Sequence, residues 1–250
     1  GFDLTGAAPD EDLLVASGPY RVSQVADGRV TLSANPFYRG DRAPHIETIV
    51  LRTVVDADAL VRQLTAGEID VASPKPDADL GAELADIPGV TVAVGFESVF
   101  EHLDLQFTGS KSGHFSDPRI RKAFLHVVPR QTILDELVTP LQADASLLDS
   151  FVLRPGSDGY ADAVAGNGSD AFRTTDVAAA TALLAEAGAA APEVCIIFDP
   201  ADERRVAAVE LIRESAARAG FNVTDCSRAH WRGLLSVTGA YDAALFACDT

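Results

Sequence analysis

Apolar residues recur along most of the chain at spacings that separate strands from helices. Val22 to Val25 and Arg29 to Ala34 are short β-type runs on either side of Asp27-Gly28, a dipeptide that favours a tight hairpin turn. Ile46 to Val55 is rich in Ile, Val and Thr, residues that fit a pleated strand. The pattern therefore predicts a hairpin followed by a third strand.

The next segments predict a helix and a short strand. Asp56 is a good N-cap residue, and Leu60 and Leu64 fall on one face of a helix from Ala57 to Thr65. Ile69 to Ala72 is predicted as a strand, and the Pro- and Asp-rich letters that follow it, SPKPDAD, as a surface loop.

Residues 90–107 predict two strands, of which the second alternates clearly. Leu103 and Leu105 are apolar, whereas His102, Asp104 and Gln106 lie on the opposite face. A Gly- and Ser-rich stretch follows, so residues 106–113 are predicted as the boundary between two domains.

The second half of the chain predicts a regular α/β layer. Helices are predicted up to Pro129 and from Gln131 to Val138, and residues 139–172 lack periodicity and are predicted as an irregular surface segment. The remaining predicted elements are a helix at 176–187, a strand at 194–198, a helix at 202–219, a strand at 221–226, a helix at 229–237 and a strand at 241–247. This βαβαβ order predicts parallel strands with right-handed crossovers, and ligands in such layers bind beyond the carboxyl ends of the strands. Those ends are Asp199, Ser227-Arg228 and Cys248-Asp249.

Composition narrows the choice of partners and compartments. The 250 residues include 37 acidic and 20 basic side chains, a net charge of -17 that disfavours binding to nucleic acid. No apolar run approaches the roughly 18 residues that a membrane span needs. No CxxC pair occurs among the three cysteines, Cys195, Cys226 and Cys248. The sequence leaves open whether two of them form a disulfide or remain buried free thiols.

The sequence contains no recognisable catalytic motif, and we predict neither an enzyme nor a cofactor or metal site. The GSKSG run has its glycines misplaced for a phosphate-binding loop, and the fingerprints of dinucleotide sites and of α/β-hydrolases are absent. His102 and Asp104 are two residues apart and form either a ligand or metal site or a solvated strand face. Trp231 either packs its helix on the sheet or forms an aromatic wall at the ligand end.

Six segments, taken in order, resemble family 5 of the solute-binding proteins of ABC importers, which includes oligopeptide, dipeptide and nickel binders. In the first part, SGPYRV is similar to the family's Gly-Thr-Gly-Pro-Tyr strand, and NPFYRG to its Asn-Pro-x-Tyr-Trp-Gly segment, with Arg39 in the Trp place. LTAGEIDVA, at Leu64 to Ala72, resembles the family's Leu-x-x-Gly-Glu-x-Asp segment, in which a helix leads into a strand.

The second part continues the resemblance. HFSDPRIRKAF is similar to the family's Pro-Phe-x-Asp-x-Arg-Val-Arg helix, with His114 in the first Pro place and Pro129 later replacing an Asp. TTDVAAATALLAEAG resembles its Ala-x-x-Leu-Leu-x-x-Ala-Gly helix, and YDAALFACD its Tyr-Asp strand near the cleft. Leu245 and Cys248 fall near the places where peptide-binding members carry Arg and Trp.

The resemblance implies a type II periplasmic-binding-protein fold of the α/β class, with two lobes that close over a ligand. This chain is then expected to be a piece of a longer protein, with 1–105 in lobe I, 106–250 in lobe II and a hinge near 105–107. The expected ligand-binding residues are His102, Asp104, Gln106, Trp231, Phe246 and Cys248.

The function implied is the substrate-binding component of an ABC importer, which captures peptides or a similar small solute for membrane permease subunits. The protein is expected to be extracellular or periplasmic and anchored as a lipoprotein. The alternative is a hydrolase or transferase on an α/β scaffold, with its catalytic residues outside these 250 positions.

Overall fold

The computed structural model describes residues 16–75, 77–95 and 99–249. The chain divides into two compact units between Val92 and Ala93. Among the described residues, no helix is both long and apolar enough to cross a membrane.

The first unit contains a three-stranded antiparallel sheet in the order β1-β2-β3. The strands are β1 (Tyr20–Ala26), β2 (Arg29–Ala34) and β3 (Thr48–Arg52), so the predicted hairpin and third strand are confirmed. Gly28 has a φ of 64°, which explains why a glycine follows Asp27 in the hairpin turn.

Two helices complete the described part of this unit. Helix α1 (Ala57–Thr65) has the predicted bounds, and the Asp56 side chain accepts a hydrogen bond from the Ala59 amide. Helix α2 (Ala78–Ala85) was not predicted; it begins inside the Pro- and Asp-rich stretch, because Asp77 caps it by accepting from Leu80. The strand predicted at 69–72 is wrong, since those residues are irregular and pair with no described strand.

The second unit is built on a four-stranded mixed sheet in the order β4-β7-β5-β6. The strands are β4 (Val99–Leu105), β5 (Glu193–Ile197), β6 (Asn222–Asp225) and β7 (Ala243–Asp249). Strand β5 is parallel to both β6 and β7, which confirms the predicted βαβαβ layer. Strand β4 joins this layer antiparallel to β7, so the sheet is mixed. Of the two strands predicted between 90 and 107, β4 is the one that the described residues form.

The main core of the second unit lies between one face of this sheet and its helices. The helices are α3 (Pro118–Val127), α4 (Arg130–Ile133), α5 (Tyr160–Val164), α6 (Val177–Ala187), α7 (Glu203–Ala217) and α8 (Trp231–Leu234), with 3₁₀ turns at His114–Ser116 and Ser169–Phe172 and a π-helical stretch at Leu134–Val138. Phe124 from α3, Leu184 from α6 and Ile212 from α7 are buried against Ile196 and Leu245 of the sheet. This burial explains the helical spacing of apolar residues in the sequence.

The division between the units comes before β4, whereas the sequence places the lobe boundary at residues 105–107. Strand β4 pairs with β7 along its whole length, so it belongs to the sheet of the second unit. The pairing continues past the strand, because the Gln106 amide donates to the Asp242 carbonyl over 2.8 Å and the Lys111 amide to Tyr241 over 3.0 Å. The assignment of lobes and a hinge near 105–107 remains a prediction.

Candidate functional site

Strands β4 and β7 form a ribbon that extends past the carboxyl end of β5. Strand β5 ends at Ile197, which pairs with Ala244, so the rest of β7 continues with β4 as its partner among the described strands. Phe246 and its partner across the ribbon, His102, therefore lie beyond the carboxyl end of a parallel strand. This is the edge at which α/β sheets bind ligands.

One face of the ribbon carries aromatic rings. His102 and Phe246 are direct cross-strand partners with ring centroids 4.3 Å apart. Phe100 lies 5.2 Å from His102, and the Trp231 ring of α8 lies 6.3 Å from Phe246. Phe151 completes the group at 5.1 Å from Phe100 and 5.8 Å from His102. We call these five residues the aromatic face.

His102 is the polar member of the aromatic face. Its Nδ1 lies 2.9 Å from Oδ1 of Asp104, and because an ionised carboxylate only accepts hydrogen bonds, we assign the ring proton to Nδ1. Its Nε2 is buried and has no hydrogen-bond partner among the described residues. In the neutral ring this atom is an acceptor, and leaving such a group unpaired costs about 1–3 kcal/mol.

Phe151 reaches the aromatic face from the irregular segment at 139–172. The Asp149 side chain, fully buried, forms ion pairs with Arg130 and Arg173. The backbone of Asp149 is also held, because its amide donates to the Tyr160 hydroxyl over 3.0 Å and its carbonyl accepts from Asn167 over 2.8 Å. Residue 149 thus anchors residues 139–159, the part of this segment that forms no helix or strand, two positions before Phe151.

The remaining predicted ligand residues have different surroundings. The Asp104 side chain is 54% exposed beside His102. The side-chain amide of Gln106 donates to the Tyr241 hydroxyl over 2.7 Å. Trp231 is 4% exposed, so most of its surface is used in packing. For Cys248 the structure describes the strand position, opposite Phe100. The structure thus brings His102, Asp104, Phe246 and Trp231 together, and a ligand role for the six predicted residues remains a prediction.

Asp242 is a buried residue whose role the sequence analysis did not identify. Its Oδ1 accepts from the amide and hydroxyl of Ser112 over 2.8 and 2.7 Å, and its Oδ2 accepts from the Cys195 amide over 2.9 Å. These bonds hold the stretch after β4 against β5. The signal in the sequence is an Asp placed directly before an apolar strand.

A disulfide between Cys195 and Cys226 links β5 to the residue after β6. Cys195 is buried with Ile197, Tyr241 and Ala244 in a second apolar cluster, on the sheet face that also carries Phe246. The Lys111 ammonium lies 3.2 Å from the sulfur of Cys226. The sequence left open whether the cysteines form a disulfide or remain free thiols, and the structure pairs Cys195 with Cys226.

Glu101 fixes the opposite face of β4. Its carboxylate binds Arg204 and Arg205 of α7, with a distance of 2.7 Å from Oε1 to Nε of Arg205. Because Glu101 precedes His102, this contact holds the ribbon from the side that faces the helices. The strand that carries His102 is therefore tied to α7 on its other face.

The side chains that could bind a metal do not converge in the described part of the chain. No group of three or more His, Cys, Asp or Glu residues with suitable spacing occurs there. The pair of His102 and Asp104 supplies two such side chains, and the environment around them is aromatic.

Comparison with known proteins identifies close matches in sequence profile and fold. The profile of "Bacterial extracellular solute-binding proteins, family 5 Middle" matches residues 3–248. A putative ABC transporter peptide-binding protein of Brucella ovis is 28% identical in an alignment 132 residues long, which covers 49% of this chain and 22% of the relative.

Solved structures share the fold at low sequence identity. A periplasmic EDTA-binding protein, EppA, aligns with a TM-score of 0.74 and 20% identity, over 92% of this chain and 45% of that protein. NikA of Staphylococcus aureus, solved with Ni(L-His)2, aligns with a TM-score of 0.65 and 19% identity, over 98% of this chain and 50% of NikA. The chain thus spans about half the length of these structures, with the α/β fold of type II periplasmic binding proteins. With a profile match over nearly its whole length, the chain belongs to family 5 of the bacterial extracellular solute-binding proteins.

Proposed function

We propose that this chain forms part of the substrate-binding component of an ABC importer, which captures a peptide or a similar small solute and delivers it to a membrane permease. The observation that carries the proposal is the aromatic face at the carboxyl end of β5, where Phe100 and Phe246 are partly exposed and the exposed carboxylate of Asp104 lies beside His102.

The chemistry of this face suits a small organic ligand. Aromatic rings bury a large area of an apolar or planar group at little cost in side-chain entropy. Asp104, held beside His102, adds an exposed carboxylate, a polar group of the kind that orients a ligand in a mostly apolar site.

The proposed compartment is extracellular or periplasmic, with a lipoprotein anchor on the complete protein. The Cys195–Cys226 disulfide supports this location, because such bonds persist in oxidising compartments and are rare in the cytosol. The family is itself defined by extracellular solute-binding proteins.

A peptide ligand is supported by the Brucella relative, which is described as peptide-binding. The solved structures with this fold are described with other ligands, EDTA and a nickel–histidine complex. Fold does not determine ligand, so we propose the broader class of small solutes with peptides among them. We propose no enzymatic activity, because the family and these structures are solute-binding proteins.

The test is to identify the solute carried by the complete product of the gene that encodes this chain. The protein is purified without unfolding, and released small molecules are identified by mass spectrometry. The same measurement is made on Phe246→Ala, which opens the aromatic face, and on Phe172→Ala, a matched control whose ring contacts His126 outside that face.

We expect a solute in the wild type and in Phe172→Ala, and at least a tenfold smaller amount in Phe246→Ala, since tenfold corresponds to about 1.4 kcal/mol of binding energy. Circular dichroism verifies that both variants are folded. Equal retention by all three proteins would place the site elsewhere, and no solute in any of them would contradict a binding role.

A further inference from the structure

We infer that the Cys195–Cys226 bond is a site of thiol–disulfide exchange, which a dithiol reductant opens at Cys226 while Lys111 stabilises the thiolates that form. The inference goes beyond the proposed function, because it concerns a covalent link within the second unit and not the solute. A purely structural cross-link would lack this reactivity.

The first argument is the position of the Lys111 ammonium. Its Nζ lies 3.2 Å from Sγ of Cys226 and 3.6 Å from Sγ of Cys195, so one cation faces both sulfurs of the bond. The backbone helps to place it there, because the Lys111 amide donates to the Tyr241 carbonyl over 3.0 Å. A lysine beside a cysteine favours the ionised sulfur, since the cation stabilises the thiolate. Both sulfurs therefore lie where a positive charge favours their reduced, ionised form.

The charged surroundings leave this ammonium available to the sulfurs. Lys111 forms no ion pair with a carboxylate in the part of the chain that the structure describes. The acidic and phenolic groups on the segments that pack around the bond are Glu193, Asp225, Tyr241 and Asp242. Glu193 is exposed at the start of β5, and the carboxylates of Asp225 and Asp242 accept hydrogen bonds from backbone amides.

The second argument is the unequal burial of the two cysteines. Cys195 is fully buried in the second apolar cluster, whereas Cys226 follows the end of β6 and is partly exposed. A thiolate of the reductant therefore attacks Sγ of Cys226 and bonds to it, and the electron pair of the broken bond leaves with Sγ of Cys195. The second thiol of the reductant then displaces Cys226, so the reductant leaves as a disulfide. Two electrons and two protons pass from the dithiol to the protein when both cysteines become thiols.

The third argument is that other bonds hold the same segment. Cys226 leads from β6 to α8, whose Trp231 ring packs against the aromatic face. The Cys226 amide donates to the Ile196 carbonyl over 2.9 Å, and the Phe198 amide donates to the Ser227 hydroxyl over 3.0 Å. These hydrogen bonds do not depend on the disulfide. The segment therefore stays attached to β5 when the bond opens, so exchange is reversible and does not require unfolding.

The test measures how readily the bond is reduced in the complete gene product, with dithiothreitol as the dithiol. The folded protein is equilibrated with mixtures of reduced and oxidised dithiothreitol at two pH values, about 9 and about 6.5, on either side of the ordinary pKa of a thiol. Free thiols are trapped with N-ethylmaleimide, and peptide mass spectrometry quantifies the label at Cys195 and Cys226. We expect full reduction without loss of the circular dichroism of the folded protein. A bond that stays oxidised until the protein unfolds would overturn the inference.

Lys111→Gln assigns the effect to the cation. It should make the bond about five to ten times harder to reduce at pH of about 9, where thiolates form, and tenfold corresponds to about 30 mV. At pH of about 6.5 the variant and the wild type should agree, because ordinary thiols, with a pKa of about 8.5, are then protonated and gain little from a cation. Lys122→Gln is the matched control, since Lys122 is exposed on α3 outside this cluster, and it should behave as the wild type does.

Two results with Lys111→Gln would refute the role of Lys111. One is reduction as easy as in the wild type at the higher pH. The other is a difference of equal size at both pH values, because a side chain that acts through packing alone does not depend on thiolate formation.

Discussion

The two faces of the ribbon formed by β4 and β7 differ in what they contact, although alternate residues of the same strands supply both. Leu103 and Leu245 face the helices and join the main core. His102 and Phe246 face the other way, where few helices cover the sheet and a buried nitrogen has no partner.

This difference indicates what each face contributes. Close-packed apolar residues contribute stability, because their burial removes surface from water and leaves few voids. The aromatic face includes an unpaired polar atom, which lowers stability, and it leaves the rings of Phe100, Phe151 and Phe246 partly exposed. Mutations on the helix-covered face should therefore alter unfolding, and mutations on the aromatic face should alter binding.

The largest expected effect is on the helix-covered face. Phe124 is fully buried in the main core, so Phe124→Ala should lower the free energy of unfolding of the second unit by about 3–5 kcal/mol. Urea unfolding followed by the fluorescence of Trp231, the chain's only tryptophan, measures this. Phe151→Ala is the matched variant on the aromatic face and should change stability by less than about 1 kcal/mol. Similar losses in the two variants would contradict the comparison.

Removal of the disulfide should have the next largest effect. Replacing Cys195 and Cys226 together by Ser should cost about 3 kcal/mol, because the bond closes a loop across a sequence separation of 31 residues. The measurement is the urea midpoint of the double variant against oxidised wild type. Since the cysteines border the second apolar cluster, a cost below about 1 kcal/mol would show that this side of the sheet needs no cross-link.

His102→Phe should have a small effect of the opposite sign. The substitution removes the unpaired Nε2 and keeps a ring beside Phe246, so stability should stay the same or rise by up to about 1 kcal/mol. Urea unfolding without added ligand measures it. A loss of more than about 1 kcal/mol would mean that His102 stabilises the fold and is not retained for binding.

The smallest expected effect is a pH dependence at Tyr241. Burial raises the pKa of its phenol above the ordinary value, although the hydrogen bond from Gln106 lowers it in part. The folded state then holds the proton more tightly than the unfolded state, so this contribution to stability is present below about pH 10 and lost as the pH rises through the folded pKa. Tyrosinate absorbance during alkaline titration measures the step, and Tyr241→Phe should lack it. If the wild type and Tyr241→Phe differed only by a tyrosine that titrates at the ordinary pKa of about 10, the shift would be contradicted.

Local signals predicted much of the fold correctly. Helix α1 follows from the Asp56 cap and its apolar spacing, and the alternation around Leu103 and Leu105 identified β4 and its two faces. The parallel layer followed from the order of strands and helices. These features depend on residues that are close in sequence, which is why periodicity reveals them.

Contacts between distant residues could not be predicted in this way. The pairing of β4 with β7 joins residues far apart in sequence, and no local pattern encodes it. Phe151 lies in a segment without periodicity, and its position depends on the ion pairs of Asp149 with two separate arginines. The sequence therefore identified His102, Phe246 and Trp231 as candidates but neither Phe100 nor Phe151, the other two rings of the face.

The most direct test of the central claim is a crystal structure of the complete gene product with the solute that it retains during purification. The account predicts that the solute contacts Phe100, His102 and Phe246. A solute that is bound without touching these three residues would contradict it.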